Sequence, residues 1–258
     1  MNVGAPLSRL DGATLVLTRA DGGALARRAR RLGATTVSVP GLAVRIAHDP
    51  TVVALLRSRA RFDDWIFSSP AAVRFAHRLA APLSLRDARV FAVGAGTRAA
   101  LAKHAIDALA PTARGESESL LALPALADVR GHRIAVVGAP GGRDLIVPAL
   151  RARGAAVEPV HVYERLPPRL TRNHFDALAA ASDPLLMLVS SGEALANLVA
   201  LLPDVLLQRL RAQGLMVSSA RLAALARAAA FADVSIADSA APDDLLAAAA
   251  RRLARHRL

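Results

Sequence analysis

An α/β fold built on parallel sheets is what this sequence predicts, on three observations. Short apolar runs recur along the chain, each followed by a segment with helical spacing. Ser, Thr and Gly stand at the ends of those runs, where helix N-caps and tight turns belong. The alternation of strand and helix is kept almost throughout, which calls for parallel strands covered by helices on both faces.

Taken in order, Leu15–Arg19 reads as a strand, and Asp21-Gly-Gly leads into a helix from Ala24 to Leu32 that Gly33 stops. Thr36–Pro40 is the next strand, and the chain stays extended through Ile46. A helix over Thr51–Arg59 precedes the strand Trp65–Ser69, and Pro70 suits the first turn of a helix running to Leu79. Strand Val90–Val93 meets Gly94-Ala-Gly96-Thr97 and a helix ending near His104; a short extended piece, Ala108–Pro111, and a helix from Ser117 follow. Strand Ile134–Val137 meets Gly138-Ala-Pro-Gly-Gly-Arg143 and a helix ending at Gly154. Ala156–Leu166 is extended until Pro167-Pro168 ends it. Helix His174–Ala181, strand Leu185–Ser190, and helices Glu193–Leu202 and Val205–Ala212 come next. Strand Leu215–Ser218, helix Ala220–Ala230, strand Val234–Ala237 and helix Pro242–Leu253 close the chain.

About nine strands can make one wide sheet or two small ones. Two extended stretches, Val39–Ile46 and Val157–Leu166, break the rhythm; both carry Pro and neither runs straight into a tight helix start. They are the natural crossing points between two domains. A faint repeat points the same way: Leu15–Gly23 and Ile134–Gly142 each combine a strand, a Gly-Gly turn and a helix ending in Gly. Similarity common to all βα units accounts for it equally well.

Composition removes several classes of function. The chain has 258 residues, 53% of them hydrophobic, enough for a sizeable core. It has no Cys, which excludes disulfides, thiolate metal sites and Cys nucleophiles. Its seven His (48, 77, 104, 132, 161, 174, 256) show no ligand spacing, so no zinc site is expected. The net charge is +12, and Lys103 is the only Lys among 33 basic residues. Such Arg excess, with abundant Ala and Leu, fits a high-GC coding bias, so the charge is discounted. What remains still favours an anionic partner. Aromatics at 3% leave few stacking platforms for single-stranded nucleic acid. Residues 1–10 do not read as a signal peptide and no Ala/Leu stretch reaches spanning length, so a cytoplasmic protein without membrane attachment is expected.

The motifs narrow the chemistry. Gly94-Ala-Gly96-Thr97 has the outline of a dinucleotide turn, but no acidic residue stands at the end of the next extended piece to meet a ribose. Gly138–Arg143 lacks the Lys-Ser/Thr ending of a P-loop. Both turns can instead bring backbone N–H groups to a carboxylate; Arg143 at a helix start is better explained by an anionic ligand than by helix stability, and a solvated surface Arg accounts for it equally well. Thr18, Ser68, Ser69, Thr97, Ser190, Ser191, Ser218 and Ser219 stand just past strand ends, where open parallel sheets bind ligands; each is also a natural N-cap. No Gly-x-Ser-x-Gly elbow is present. Tyr163, the only Tyr, lies in the second crossing segment, where its phenol can face a cleft or simply pack; Trp65 reads as core.

The ordered set of motifs resembles uroporphyrinogen-III synthases over nearly the whole chain. It comprises Leu15-Val-Leu-Thr-Arg19, Phe62-Asp-Asp-Trp-Ile-Phe-Ser-Ser-Pro-Ala-Ala-Val73, Val93-Gly-Ala-Gly-Thr97, Glu116-Ser-Glu-Ser-Leu120 and Gly141-Gly-Arg143. It continues with Val157-Glu-Pro-Val-His-Val-Tyr-Glu-Arg165, Val189-Ser-Ser-Gly192 and Val217-Ser-Ser-Ala-Arg-Leu222. Ala20 and Ala71 depart from the Pro and Asn common in that family. The resemblance implies two small parallel-sheet α/β domains joined by a two-stranded β ladder, the first domain discontinuous. On this chain that gives residues 1–44 with 168–258, an inserted domain over 48–160, and a ladder from 39–47 and 157–167. It implies a cyclising lyase of haem biosynthesis that turns hydroxymethylbilane, a linear tetrapyrrole, into uroporphyrinogen III with loss of water and inversion of ring D. No cofactor, metal or nucleic acid is implied, and a monomer is. Carried over residue by residue, the catalytic candidate is Tyr163. The substrate-binding candidates are Arg19, Ser68, Ser69, Thr97, Gly142, Arg143, Ser190, Ser191 and Ser219.

Three other readings are carried beside it. A non-catalytic two-lobed binder of a small polyanion predicts tight binding without turnover. A nicotinamide enzyme predicts dinucleotide binding at Gly94-x-Gly96. A nucleic-acid role, resting on charge alone, predicts salt-sensitive DNA binding.

Overall fold

The computed structural model describes residues 9–20, 22–58, 62–83, 85, 88–112, 117–141 and 145–255. The chain divides into two compact units: Met1–Ala43 with Leu166–Leu258, and Val44–Arg165.

The first unit holds a five-stranded sheet of β1 (Thr14–Leu17), β2 (Thr35–Ser38), β9 (Leu185–Val189), β10 (Gly214–Val217) and β11 (Val234–Ile236). The order is β11-β10-β9-β1-β2 and every pairing is parallel. β1, β9 and β10 are buried at every position, because helices cover both faces. Alternate residues go to opposite sides. Val16, Met187, Val189, Leu215 and Val217 pack with α8 (Gly192–Leu201), α9 (Asp204–Arg211) and α10 (Ala220–Ala228). Leu15, Leu17, Leu186, Leu188 and Met216 pack with α1 (Gly23–Arg31) and α11 (Pro242–Arg255). α7 (Arg172–Ala179) opens on a capping box of Thr171 and His174, two residues ahead of the start read from the sequence.

The second unit holds a four-stranded parallel sheet in the order β5-β4-β6-β7, from β4 (Asp64–Phe67), β5 (Arg89–Ala92), β6 (Arg133–Gly138) and β7 (Ala156–His161). Trp65, Phe67, Val90 and Val137 face α2 (Pro50–Arg57), α3 (Pro70–Ala80) and α4 (Ala95–Ala102). Ile66, Phe91, Ile134 and Val136 face α5 (Ser117–Leu121) and α6 (Ile146–Ala152). Phe67 and Phe91 are fully buried, each worth roughly 1.5–3 kcal/mol of apolar transfer. α2 begins one residue earlier than predicted because Asp49 caps it, accepting the Thr51 N–H at 2.8 Å with Pro50 in the first turn.

Each long extended stretch is two strands. Residues 39–42 separate β2 from β3 (Ala43–Ile46), and Val162 separates β7 from β8 (Tyr163–Leu166); β3 and β8 pair as their own two-stranded sheet. Val162 marks the change of partner: its N–H donates to Gly138 O on β6 (2.9 Å), while its carbonyl accepts the Ala47 N–H (3.1 Å). The segment Ala108–Pro111 contributes a single parallel bridge, Phe91 to Leu109.

A polar cluster lies at the amino end of β4. Asp64, 0% exposed, takes a forked pair of hydrogen bonds from Arg89 (Nε to Oδ1 2.6 Å, Nη2 to Oδ2 2.9 Å), and His132 Nδ1 stands 2.8 Å from Oδ2. The carboxylate raises the Arg89 pKa through those hydrogen bonds.

Between α3 and the end of α4, His77 and His104 stack with ring centroids 3.9 Å apart. Burial, then His77, then Lys103 lower the His104 pKa from 6.5, so the folded state resists a proton that the unfolded chain accepts. The contribution of neutral His104 is therefore fully present above pH 6.5 and is lost as pH falls below it. Thermal melts of wild type should lose Tm progressively below that pH, and His104→Gln should flatten the decline; parallel curves would remove the pair as its cause.

Candidate active site

Both parallel sheets reverse their winding once. In the second unit the chain leaves β4 toward β5 and later returns to the other side of β4 with β6. The loops after β4 and β6 therefore run apart and leave a crevice at the strands' carboxyl ends, the place where open α/β sheets take ligands. A pocket of about 390 Å³ occupies this position, within the size range of small-molecule sites.

Its walls come from four strand ends. Ser68 and Ser69 follow β4, and Gly138, Ala139, Pro140 and Gly141 close β6 and lead out of it. His161 ends β7, while Tyr163 and Arg165 stand on one face of β8. A Cβ on Gly138 would lie 2.6 Å from Ser68 Oγ, so only glycine lets the serine hydroxyl stand against this strand end. Gly141 turns at φ +74°, a conformation glycine adopts without strain. No Asp or Glu is among the described residues lining the pocket, so its polar wall is hydroxyls, backbone amides, an imidazole and a guanidinium.

The Tyr163 side chain is held on two sides. Its ring stacks on Phe75 of α3, centroids 5.1 Å apart and planes 24° from parallel. Its hydroxyl shares a 3.3 Å hydrogen bond with Ser69 Oγ, which also accepts the Ala72 N–H at 3.1 Å as N-cap of α3. Tyr163 is only 7% exposed, yet it reaches the pocket wall. A positioned phenol beside a second hydroxyl can pass a proton to a departing oxygen.

The first unit repeats the arrangement, with its reversal between β1 and β9. Thr18 Oγ1 donates to Leu188 O at 2.8 Å across that point. Arg19 follows, its Nη1 donating to Ala240 O at 3.0 Å. Ser190 and Ser191 follow β9, and Ser218 and Ser219 follow β10. Ser191 and Ser219 accept the N–H groups of Ala194 and Leu222, each at 3.4 Å, as N-caps of α8 and α10.

Ser68, Ser69 and Tyr163 are thus brought to one pocket. Thr97 is not: it lies in the first turn of α4, 4% exposed and outside the pocket lining. Gly142 and Arg143 lie outside the described residues. His161 and Arg165 line the pocket without having been singled out from the sequence. Their signal was period-two spacing with Tyr163 (161, 163, 165), which places all three on one side of an extended chain. Among the described residues, no group of three His, Asp or Glu is arranged to hold a metal, and no helix is long and apolar enough to cross a membrane.

Two open parallel sheets, each reversing its winding once, and a pocket at the carboxyl edge of the second define an α/β protein of the architecture that takes small molecules. Comparisons carry the assignment further. A family model described as uroporphyrinogen-III synthase HemD matches residues 23–247. The uroporphyrinogen-III synthase of Salmonella typhimurium is 34% identical over 255 residues, 91% of this chain and 99% of that one. Two solved structures share the fold. The uroporphyrinogen III synthase of Thermus thermophilus has a TM-score of 0.60 at 21% identity, covering 94% of this chain and 99% of its own. That of Helicobacter pylori has a TM-score of 0.61 at 14% identity, covering 95% and 100%. The chain belongs to the uroporphyrinogen-III synthase family. Nothing in these comparisons supports a non-catalytic binder.

Proposed function

We propose that this chain converts hydroxymethylbilane to uroporphyrinogen III, releasing water and inverting ring D. The observation that carries the chemistry is the Tyr163 hydroxyl, fixed by Ser69 and Phe75 at the wall of a pocket of hydroxyls and amides. The terminal hydroxymethyl group must leave as water, giving an azafulvene cation. Tyr163 supplies the proton for that departure, directly or through a water. The substituted carbon of ring D then attacks, giving a spiro species that fragments and recloses. Unassisted closure favours the unsubstituted carbon, so the protein's main contribution is to hold the chain in the pose from which the hindered attack is the shorter path.

Every ring of the substrate bears acetate and propionate arms, and polar carboxyl edges suit such a polyanion. Ser68 and Ser69 in the second unit, and Arg19, Ser190, Ser191 and Ser219 in the first, are proposed contacts for those arms. The two units are taken as the enzyme's two domains, and the enzyme as a cytoplasmic monomer. Purified protein supplied with enzymatically generated hydroxymethylbilane should yield the type III isomer. Accumulation of type I alone would defeat the reading.

A further inference from the structure

We infer that Ser69 is a positioning residue of the acid step: it gives its one hydrogen to the Tyr163 oxygen and so leaves the phenol's own hydrogen for the departing hydroxyl. The inference rests on the function proposed above and refines it at this residue.

The hydrogens at the two oxygens are few enough to count. A serine hydroxyl has one hydrogen and two lone pairs. At Ser69 one lone pair takes the Ala72 N–H at 3.1 Å, which caps α3. The other hydrogen bond joins Tyr163 Oη at 3.3 Å, a contact in which either oxygen can donate. The acid step removes that freedom. A phenol has a single hydrogen, and in the acid role it points at the hydroxymethyl oxygen. The contact with Ser69 is then made by the serine hydrogen.

The surroundings favour the same direction. Ala72 N–H to Ser69 Oγ, then Ser69 O–H to Tyr163 Oη, is a chain of donors with one sense, in which each bond strengthens the next. It starts at the N-terminus of the 11-residue helix α3, whose partial positive charge favours an anion at the far end of the chain. Phe75, from the same helix, holds the ring. Among the described residues, no Asp or Glu in the pocket lining competes for the serine hydrogen.

The step balances without any bond changing at Ser69. The Tyr163 O–H bond breaks and its proton joins the hydroxymethyl oxygen. The C–O bond breaks, its electron pair going to the water that leaves. The phenolate keeps the O–H electron pair and accepts the Ser69 hydrogen. The proton that ring D loses on closure, returned through solvent, restores the phenol. A hydrogen so committed is not offered to a carboxylate, so the arm contact at this strand end falls to Ser68.

Replacements of Ser69 separate capping from donation, read by steady-state kinetics with hydroxymethylbilane and by thermal melts. Ser69→Ala loses both, and kcat should fall roughly tenfold with KM held, since a hydrogen bond to the oxygen that takes up charge is gone. Ser69→Asp caps a helix as well as serine does, but its ionised carboxylate has no hydrogen to give and captures the phenol's instead. Tm should therefore hold while kcat falls at least as far as in Ser69→Ala. Ser69→Thr, which keeps cap and hydroxyl, should recover most of the loss. In a Tyr163→Phe background, Ser69→Ala should cost no further kcat, because the serine acts through the phenol. Tyr163 is the only Tyr in the chain, so the tyrosine Fermi doublet of the Raman spectrum reports on this phenol alone. It should show an accepting phenol oxygen in wild type and a phenol that only donates in Ser69→Asp. Identical wild-type and Ser69→Asp spectra, or wild-type kcat in folded Ser69→Ala, would overturn the inference and leave the synthase reading intact. A raised KM with wild-type kcat would also overturn it, returning Ser69 to the carboxylate arms. A wild-type protein that makes only type I sinks the synthase reading, while the Raman doublet still decides which oxygen donates. Should Ser69→Ala not fold, Ser69→Gly, milder at an N-cap, replaces it. Failure of both to fold would make Ser69 a structural residue and reject the role.

Discussion

Tyr163→Phe is expected to lower kcat for the type III isomer by about 100-fold, the usual contribution of a positioned general acid. The substitution is confined to one oxygen. The Phe ring keeps the stack on Phe75, and Ser69 keeps its capping bond to Ala72. What disappears is the 3.3 Å hydrogen bond to Ser69, so the stability cost should stay near 1 kcal/mol and Tm should change little. KM should hold, because the phenol acts on the departing hydroxyl and not on the carboxylate arms. As enzymatic turnover slows, uncatalysed closure should overtake it, and the type I fraction should rise. Rates and isomer ratios measured on the folded variant decide the matter: turnover within a few-fold of wild type removes Tyr163 from the acid role.

Asp64→Ala should cost about 1–3 kcal/mol of stability, the range for leaving hydrogen-bonding groups without their partner, because the Arg89 left behind is itself 39% exposed. Asp64 is wholly buried and holds Arg89 by two hydrogen bonds with His132 beside it. Removal of the carboxylate leaves a small buried void and takes two hydrogen bonds from Arg89, whose outer part water can still reach. Typical domains have about 5–15 kcal/mol in total, so the second unit should unfold at lower urea. A double replacement, Asp64→Leu with Arg89→Met, should recover most of the loss, because paired charges exchanged for apolar packing cost little. The cluster lies at the amino end of β4, whereas the pocket lies past its carboxyl end. The folded fraction of either variant should therefore retain wild-type kcat. Stability within about 1 kcal/mol of wild type for Asp64→Ala, read from the urea midpoint, would show the cluster to be dispensable.

Most of the fold could be read from the chain because parallel sheets write themselves plainly. Leu185–Val189 is apolar at every position and buried at every position, and the hydroxyls that follow such runs became N-caps at Ser69, Ser191 and Ser219. What escaped was non-local. The break at Val162 has no composition signal, since it arises from a change of hydrogen-bond partner from Gly138 to Ala47. Asp64, Arg89 and His132 come from three separate strand starts, and nothing in the sequence links them. The site was partly legible. Ser68, Ser69 and Tyr163 converge because two strand ends and β8 meet at one crevice, while Thr97, read from the same strand-end pattern, turns into its own helix and is buried. His161 and Arg165 carried only their period-two spacing with Tyr163, a cue that gains meaning once the crevice is known, and Arg is too abundant in this chain to stand out by itself.

The long separation within the first sheet has a consequence for how the molecule comes into being. Thr18 is tied to Leu188, 170 residues downstream, and β1 has no second neighbour until β9 exists. On the ribosome, residues 44–165 emerge complete, with all the partners of their four-stranded sheet, before β9 is made. The inserted unit is thus free to fold first, and in doing so it draws together the ends of the loop that the outer sheet must close, sparing the chain much of that entropic cost. Nascent β1, destined for burial at every position, meanwhile waits beside β2 with its other edge uncovered, a segment for a chaperone to shield during translation.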